Sequence, residues 1–227
     1  AQHLWRHWLY VGDENQLRED IYPWLKEACQ YYLSILFKDE NGVYNIELSH
    51  SPEQVAKDDK GQTYICLGRN PTIDISCIKY LFEATLDAAE FLGDDDPMIT
   101  KCDDVLKHLP PLPTEDGVLI DNETAFFHDG DRSGRFKHSH RHPSRLMPIW
   151  PACQIGLGSP SEELELARRS VKEFLSYGLG GISGWSLPYQ ACVAARAGFA
   201  EETENLLKTL LDAYTLEGGL TSHNSLK

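Results

Sequence analysis

Three histidines and two arginines crowd into eight residues at His138, His140, Arg141, His142 and Arg145, in a 227-residue chain of formal net charge −14. Such a cluster is costly to bury without partners, so it belongs at a solvated cleft or against an anionic counterpart. Its residue types allow a metal site, a solvated surface loop, or polar recognition of a hydroxyl-rich substrate. A zinc site wants three or four His, Cys, Asp or Glu ligands. His138, His140 and His142 alternate, so they share one side only on an extended segment. The two arginines would also oppose a divalent cation. Substrate recognition is the preferred reading, with no metal and no cofactor expected.

Ser51-Pro52-Glu53 offers a carboxylate in an irregular stretch after a short strand-like run. Taken alone, Glu53 reads as a solvated loop acid. Acting as a general acid would need a raised pKa and a second carboxylate several ångströms away. Gly184-Trp185-Ser186 places a Trp near a helix start, either as core or as a platform for stacking a sugar. Asp74 reads as a first-turn acid favoured by the helix dipole. No Gly-rich phosphate loop, G-x-S-x-G elbow or H-E-x-x-H occurs, so nucleotide hydrolysis, esterase chemistry and the commonest zinc-protease type lose support.

The elements that must position these groups read mostly as helices, from apolar residues repeating at three and four. A helix around Leu4–Leu9 stops at Gly12. Asp13 caps a second that runs toward Phe37 with an adjustment at Pro23. Thr72 caps a long helix over Ile73–Leu92, closed by Gly93, and Pro97 starts another ending near Leu109. Further helices are expected from Ser161 to about Tyr177, from Ser183 to Ala197, and from Glu201 to Tyr214. Val43–Leu48 alternates as a short strand would. Ser49–Lys60 and Pro110–Gly134 read as irregular connections. With no βαβ alternation and no fixed repeat, the helix pairs and long loops predict an all-α toroid with residues 1–227 in a single domain.

The acidic balance argues against a nucleic-acid surface and against anionic membranes. No apolar run approaches the roughly 20 residues of a membrane span. The six cysteines occur without a C-x-x-C and read as buried free thiols.

In order along the chain, these segments resemble the catalytic domain of glycoside hydrolase family 95, which contains inverting α-L-fucosidases and enzymes acting on related L-galactosides. The resemblance rests on Gly12-Asp13 with Tyr22-Pro23-Trp24-Leu25-Lys26, on Ser51-Pro52-Glu53, and on Pro71-Thr72-Ile73-Asp74 followed by Leu81-Phe82. It rests also on His140-Arg141-His142-Pro143-Ser144 and on Gly184-Trp185-Ser186 with Ala195-Arg196. It implies an (α/α)6 barrel, incomplete in this chain, and an oligo- or polysaccharide substrate. Glu53 becomes the general acid, with Arg141, His142, His140 and Trp185 binding sugar, and Glu53 with Arg141 and His142 lining one concave face. Secretion or a periplasmic location is the compartment it implies.

The resemblance also puts the family's general base, an Asp in a D-G-N-F-G segment, beyond Lys227, and its paired asparagines before Ala1. The chain by itself is then not expected to hydrolyse. A non-catalytic carbohydrate-binding or scaffold module is the alternative. Apolar seams at Leu4, Trp5 and Trp8 and at Leu210, Leu211 and Leu216 would need cover from more of the same polypeptide or from another chain. Two departures stand near the pocket: Arg145 where the family has His, and Tyr189 where it has Trp.

Overall fold

A computed structural model describes residues 1–57, 63–127 and 130–227. Helix α1 (Gln2–Val11) ends on Gly12, whose left-handed φ of 69° lets its amide turn back to the Trp8 carbonyl at 2.7 Å. Asp13 caps the short helix α2 (Glu14–Gln16) by accepting from the Gln16 amide at 3.1 Å. A π turn over Leu17–Ile21 leads into α3 (Tyr22–Ile35), with Pro23 in its first turn. Pro23 has no N–H to give back to the preceding turn, so the expected adjustment falls just ahead of it.

Strands β1 (Phe37–Lys38) and β2 (Tyr44–Asn45) form a small hairpin around Asn41-Gly42. Strands β3 (Ser49–Lys57) and β4 (Thr63–Pro71) follow. Pro71 opens directly into the long helix α4 (Thr72–Leu92), and α5 (Pro97–Lys107) starts behind an Asp96 cap. Thr72 does not cap α4; its hydroxyl donates to the Ile120 carbonyl at 2.6 Å and ties the helix start to the next hairpin.

That hairpin is β5 (Thr114–Glu115) and β6 (Val118–Leu119), followed by β7 (Asn122–Phe126) and β8 (Arg132–Gly134). Beyond a 3-10 turn at Ser144–Leu146 come α6 (Ser161–Ser176), α7 (Ser186–Ala197) and α8 (Ala200–Tyr214).

Two apolar clusters hold these elements. In the first, Leu25 and Cys29 of α3 pack with Ile78 and Phe82 of α4 and with Cys102 and Val105 of α5. In the second, Val171 and Phe174 of α6 meet Leu187 and Ala194 of α7 and Leu206 of α8. An antiparallel sheet of order β3-β4-β7-β8 is built from chain on either side of α4 and α5. Burying side chains of this size contributes about 1.5–3 kcal/mol each.

The chain is therefore not all-α, and the all-α (α/α)6 toroid does not describe it: the described residues form three antiparallel sheets beside the helices, with about 51% helix and 15% strand. The two stretches read as irregular, Ser49–Lys60 and Pro110–Gly134, supply most of the strands. Residues 49–57 form β3, while Asp58–Lys60 lie outside the described residues. The sheet escapes a local reading because its pairings are distant, Leu67 with Phe126 and Pro71 with Asn122. Helix α7 starts at Ser186 rather than Ser183.

The expected apolar seams divide. Trp5 and Trp8 stack at 4.8 Å and Trp8 meets Phe91 edge-on, so α4 covers that end. Leu211 and Leu216 at the other end stay exposed. Cys29, Cys66 and Cys102 are buried and the other three cysteines partly so, all as free thiols.

Candidate active site

Strand β3 leaves its register at the residues of interest. His50 pairs with Leu67 and Val55 with Ile65, so Ser51, Pro52, Glu53 and Gln54 together face the single residue Cys66 on β4. The bulge is anchored inward and open outward. Ser51 and Gln54 are buried, and Glu53 between them points to solvent. Glu53 has φ 57°, left-handed backbone that a side chain other than Gly occupies at a cost of about 1–3 kcal/mol. Strain of this kind persists only where its surroundings impose it, and bulges re-aim side chains beside sites.

The His/Arg segment comes to meet it. Glu53 Oε2 lies 2.6 Å from His142 Nε2 and also pairs with Arg141 Nη2. Desolvation is the largest single influence on the Glu53 carboxyl and raises its pKa, but the His142 hydrogen bond and the charges of His142, Arg141 and His140 together outweigh it and hold it below the usual range. The carboxylate is acceptor-only in that state, so His142 Nε2 donates.

The His142 amide donates to His140 Nδ1 at 3.1 Å, which fixes the second imidazole. Burial pushes the His140 and His138 pKa values down, favouring neutral rings. The three imidazoles form a row with centroids 5.6 and 5.5 Å apart, and Trp185 continues it 5.0 Å from His142. Among the described residues, no three His, Cys, Asp or Glu side chains are grouped to hold a metal ion.

Local chain chemistry carries this segment. Ser186 Oγ, at the start of α7, donates to the Arg141 carbonyl at 2.9 Å. The Ser139 hydroxyl donates to the Gly178 carbonyl at 2.7 Å and accepts from the Gly181 amide at 3.1 Å. A Cβ on Gly181 would stand 2.2 Å from the Ser139 carbonyl oxygen, so only glycine permits that approach. Trp185 is 42% exposed, with Tyr189 edge-on behind it at 6.2 Å.

Behind Glu53 lies a buried polar layer. Asp121 Oδ1 accepts from Ser51 Oγ at 3.2 Å and from Gln54 Nε2 at 3.4 Å. Burial raises the Asp121 pKa to about 6, against the lowering effect of Arg145 and these donors. Arg145 is 1% exposed, pairs with Glu173 at 3.3 Å, and lies over the rings of Phe174 and Tyr177. Asp74, expected only as a first-turn acid, accepts from Ser49 Oγ at 2.6 Å on the same strand β3; burial raises its pKa.

A model of the glycosyl hydrolase family 95 catalytic domain matches residues 1–226. The chain belongs to this family. An α-L-fucosidase 2 of Arabidopsis thaliana is 26% identical to it over 228 residues, covering 97% of this chain. The chain spans about a quarter, 26%, of the length of that relative.

Within this family 95 chain, the five residues that the resemblance names for acid and sugar-binding roles stand in one contiguous patch: Glu53, His140, Arg141, His142 and Trp185. A separate cavity of about 290 Å³, lined by Trp24, Tyr32, Cys77, Tyr80 and Met147 among others, contains none of them. Reading by spacing missed Ser51, Gln54 and Asp121 as a group, because Asp121 stands 70 residues from Ser51. The one local signal is a carboxylate placed directly after the apolar run Val118-Leu119-Ile120. Arg145, read from sequence as part of the solvated cluster and as a departure from the family pattern, is instead a core residue.

Proposed function

We propose that this chain carries the acid half of an inverting glycoside hydrolase acting on terminal α-L-fucosyl or related L-galactosyl residues. The observation that carries this is the Glu53–His142–Arg141 contact on the β3 bulge of a family 95 catalytic domain. Glu53 gives its proton to the leaving oxygen as the glycosidic bond breaks, while water adds at the anomeric carbon from the other face and yields a proton to a second carboxylate acting as general base. Arg141 and His142 donate to sugar hydroxyls, and Trp185 packs its ring against the apolar face of the sugar.

In the free protein Glu53 is ionised and paired. Sugar that draws Arg141 and His142 onto its own hydroxyls and excludes water removes what holds the carboxyl pKa down, and so brings it toward a proton donor. Substrate binding and acid activation are one event in this reading.

The same ion pair supports a second reading: binding without turnover, with ionised Glu53 accepting from sugar hydroxyls. Glu53→Gln in the full-length protein separates the two. A general acid predicts loss of about 10²–10⁴ in kcat on fucosides with poor leaving groups, and little loss on fucosyl fluoride, which leaves without a proton. No turnover of either substrate by the parent protein, with sugar binding weakened in Glu53→Gln, favours the second reading.

A further inference from the structure

Glu53 sits in strained backbone with its side chain half exposed, so buried groups beside it must hold the bulge in place. The residues on either side do. Ser51 and Gln54 are 0% and 2% exposed, and both donate to one atom, Asp121 Oδ1. The Phe136 amide donates to the same carboxylate, and Phe136 begins the run that leads into His138–Arg145. Asp121 is fixed in turn from two sides. Its amide donates to the Gly134 carbonyl of β8 at 3.0 Å, and its carbonyl accepts from Thr72 of α4 at 2.9 Å.

A wholly buried carboxylate is tolerated only with donors and a counter-charge around it. Arg145 is the cation that acts on Asp121, and Glu173 balances Arg145 at 3.3 Å. The buried layer thus joins the two chain segments whose side chains meet at Glu53. One is the bulge; the other carries Arg141 and His142.

We propose that Asp121 is a positioning residue for Glu53, clamping the β3 bulge and the His/Arg segment in register so that the Glu53 carboxyl faces the leaving oxygen. The proposal rests on the reading of Glu53 as general acid. Asp121 itself stays beneath the site and exchanges no proton with substrate.

The test compares Asp121→Ala, Asp121→Asn and Ser51→Ala with Glu53→Gln in the full-length protein. The substrates are a fucoside with a poor leaving group and fucosyl fluoride. Displacing an acid by about an ångström costs up to about 100-fold. Asp121→Ala is expected to lower kcat on the poor leaving group by about 10- to 100-fold, with KM nearly unchanged and fluoride turnover within about twofold. Asp121→Asn, which keeps the accepting oxygen, recovers most of that loss.

Equal losses on both substrates, or no recovery by Asn, would show a merely structural role and overturn the proposal. If Asp121→Ala does not fold, Ser51→Ala decides, because it removes one donor with little change in volume. A smaller loss confined to the poor leaving group supports the clamp, and none overturns it. Failure of Glu53→Gln to show its own leaving-group dependence overturns the acid reading, and the clamp with it. A normal Glu53→Gln result beside an unaffected Asp121 series overturns the clamp alone.

Discussion

Glu53 Oε2 and His142 Nε2 stand 2.6 Å apart across 89 residues of sequence. The contact joins a bulged strand to a segment of loop, and it helps hold the Glu53 carboxyl in its ionised form. A carboxylate there requires a donating Nε2–H, and removing the imidazole removes the strongest influence holding the carboxyl pKa down.

His142→Gln weakens that hold, so the Glu53 titration should move upward. ¹³C-NMR of the labelled carboxyl, followed through the acid range, checks this; an unmoved midpoint would argue that the contact is not made in solution. The sign for stability follows. A depressed folded-state pKa contributes stability above the unfolded value and loses it as pH falls through the folded one. The variant should therefore show less of this acid-dependent loss.

Asp121 has the opposite sign. Its folded pKa, about 6, lies above the ordinary aspartate value of 3.8. Stability from this group is present at low pH and declines as pH rises between those values. Asp121→Asn removes the titration. Relative to the parent, the variant should gain up to about 3 kcal/mol between pH ~4 and pH ~7. Urea unfolding at the two pH values reads this directly. A difference that does not change with pH would refute the shift.

Gly181→Ala should damage the site without touching any of its side chains. The added Cβ meets the Ser139 carbonyl oxygen at 2.2 Å and must push the His/Arg segment away. Overpacking of this kind costs about 1–3 kcal/mol. The expected outcome is a lower unfolding midpoint together with weaker sugar binding by calorimetry. Full affinity in a folded variant would show that the segment adapts.

Trp185→Ala separates binding from stability. Its ring is 42% exposed beside His142, so truncation should move the melting temperature little while raising KM severalfold. Phe82→Ala offers the contrast. That side chain is 0% exposed in the first apolar cluster, and its loss should cost about 3–5 kcal/mol in a denaturant titration.

Helix identity was legible in the order of residues, because an amphipathic helix is a local object. Period 3.6 over α4 and α6, Gly12, Gly93 and Gly198 as stops, and Asp13 as a cap can all be read within a few residues. The chemical inventory was legible too: Glu53 after Ser-Pro, the clustered His140, Arg141 and His142, and Trp185 between Gly and Ser. Only the tertiary structure decided the sheet, since β3 gains a partner through β4, and β4 through β7, by hydrogen bonds between distant residues. Because that sheet bulges at residues 51–54, Glu53 turns out of its strand toward His142, while Ser51 and Gln54 turn in toward Asp121. Residue types and spacing set which groups are available; long-range pairing and the low dielectric behind the bulge set which of them share a charge.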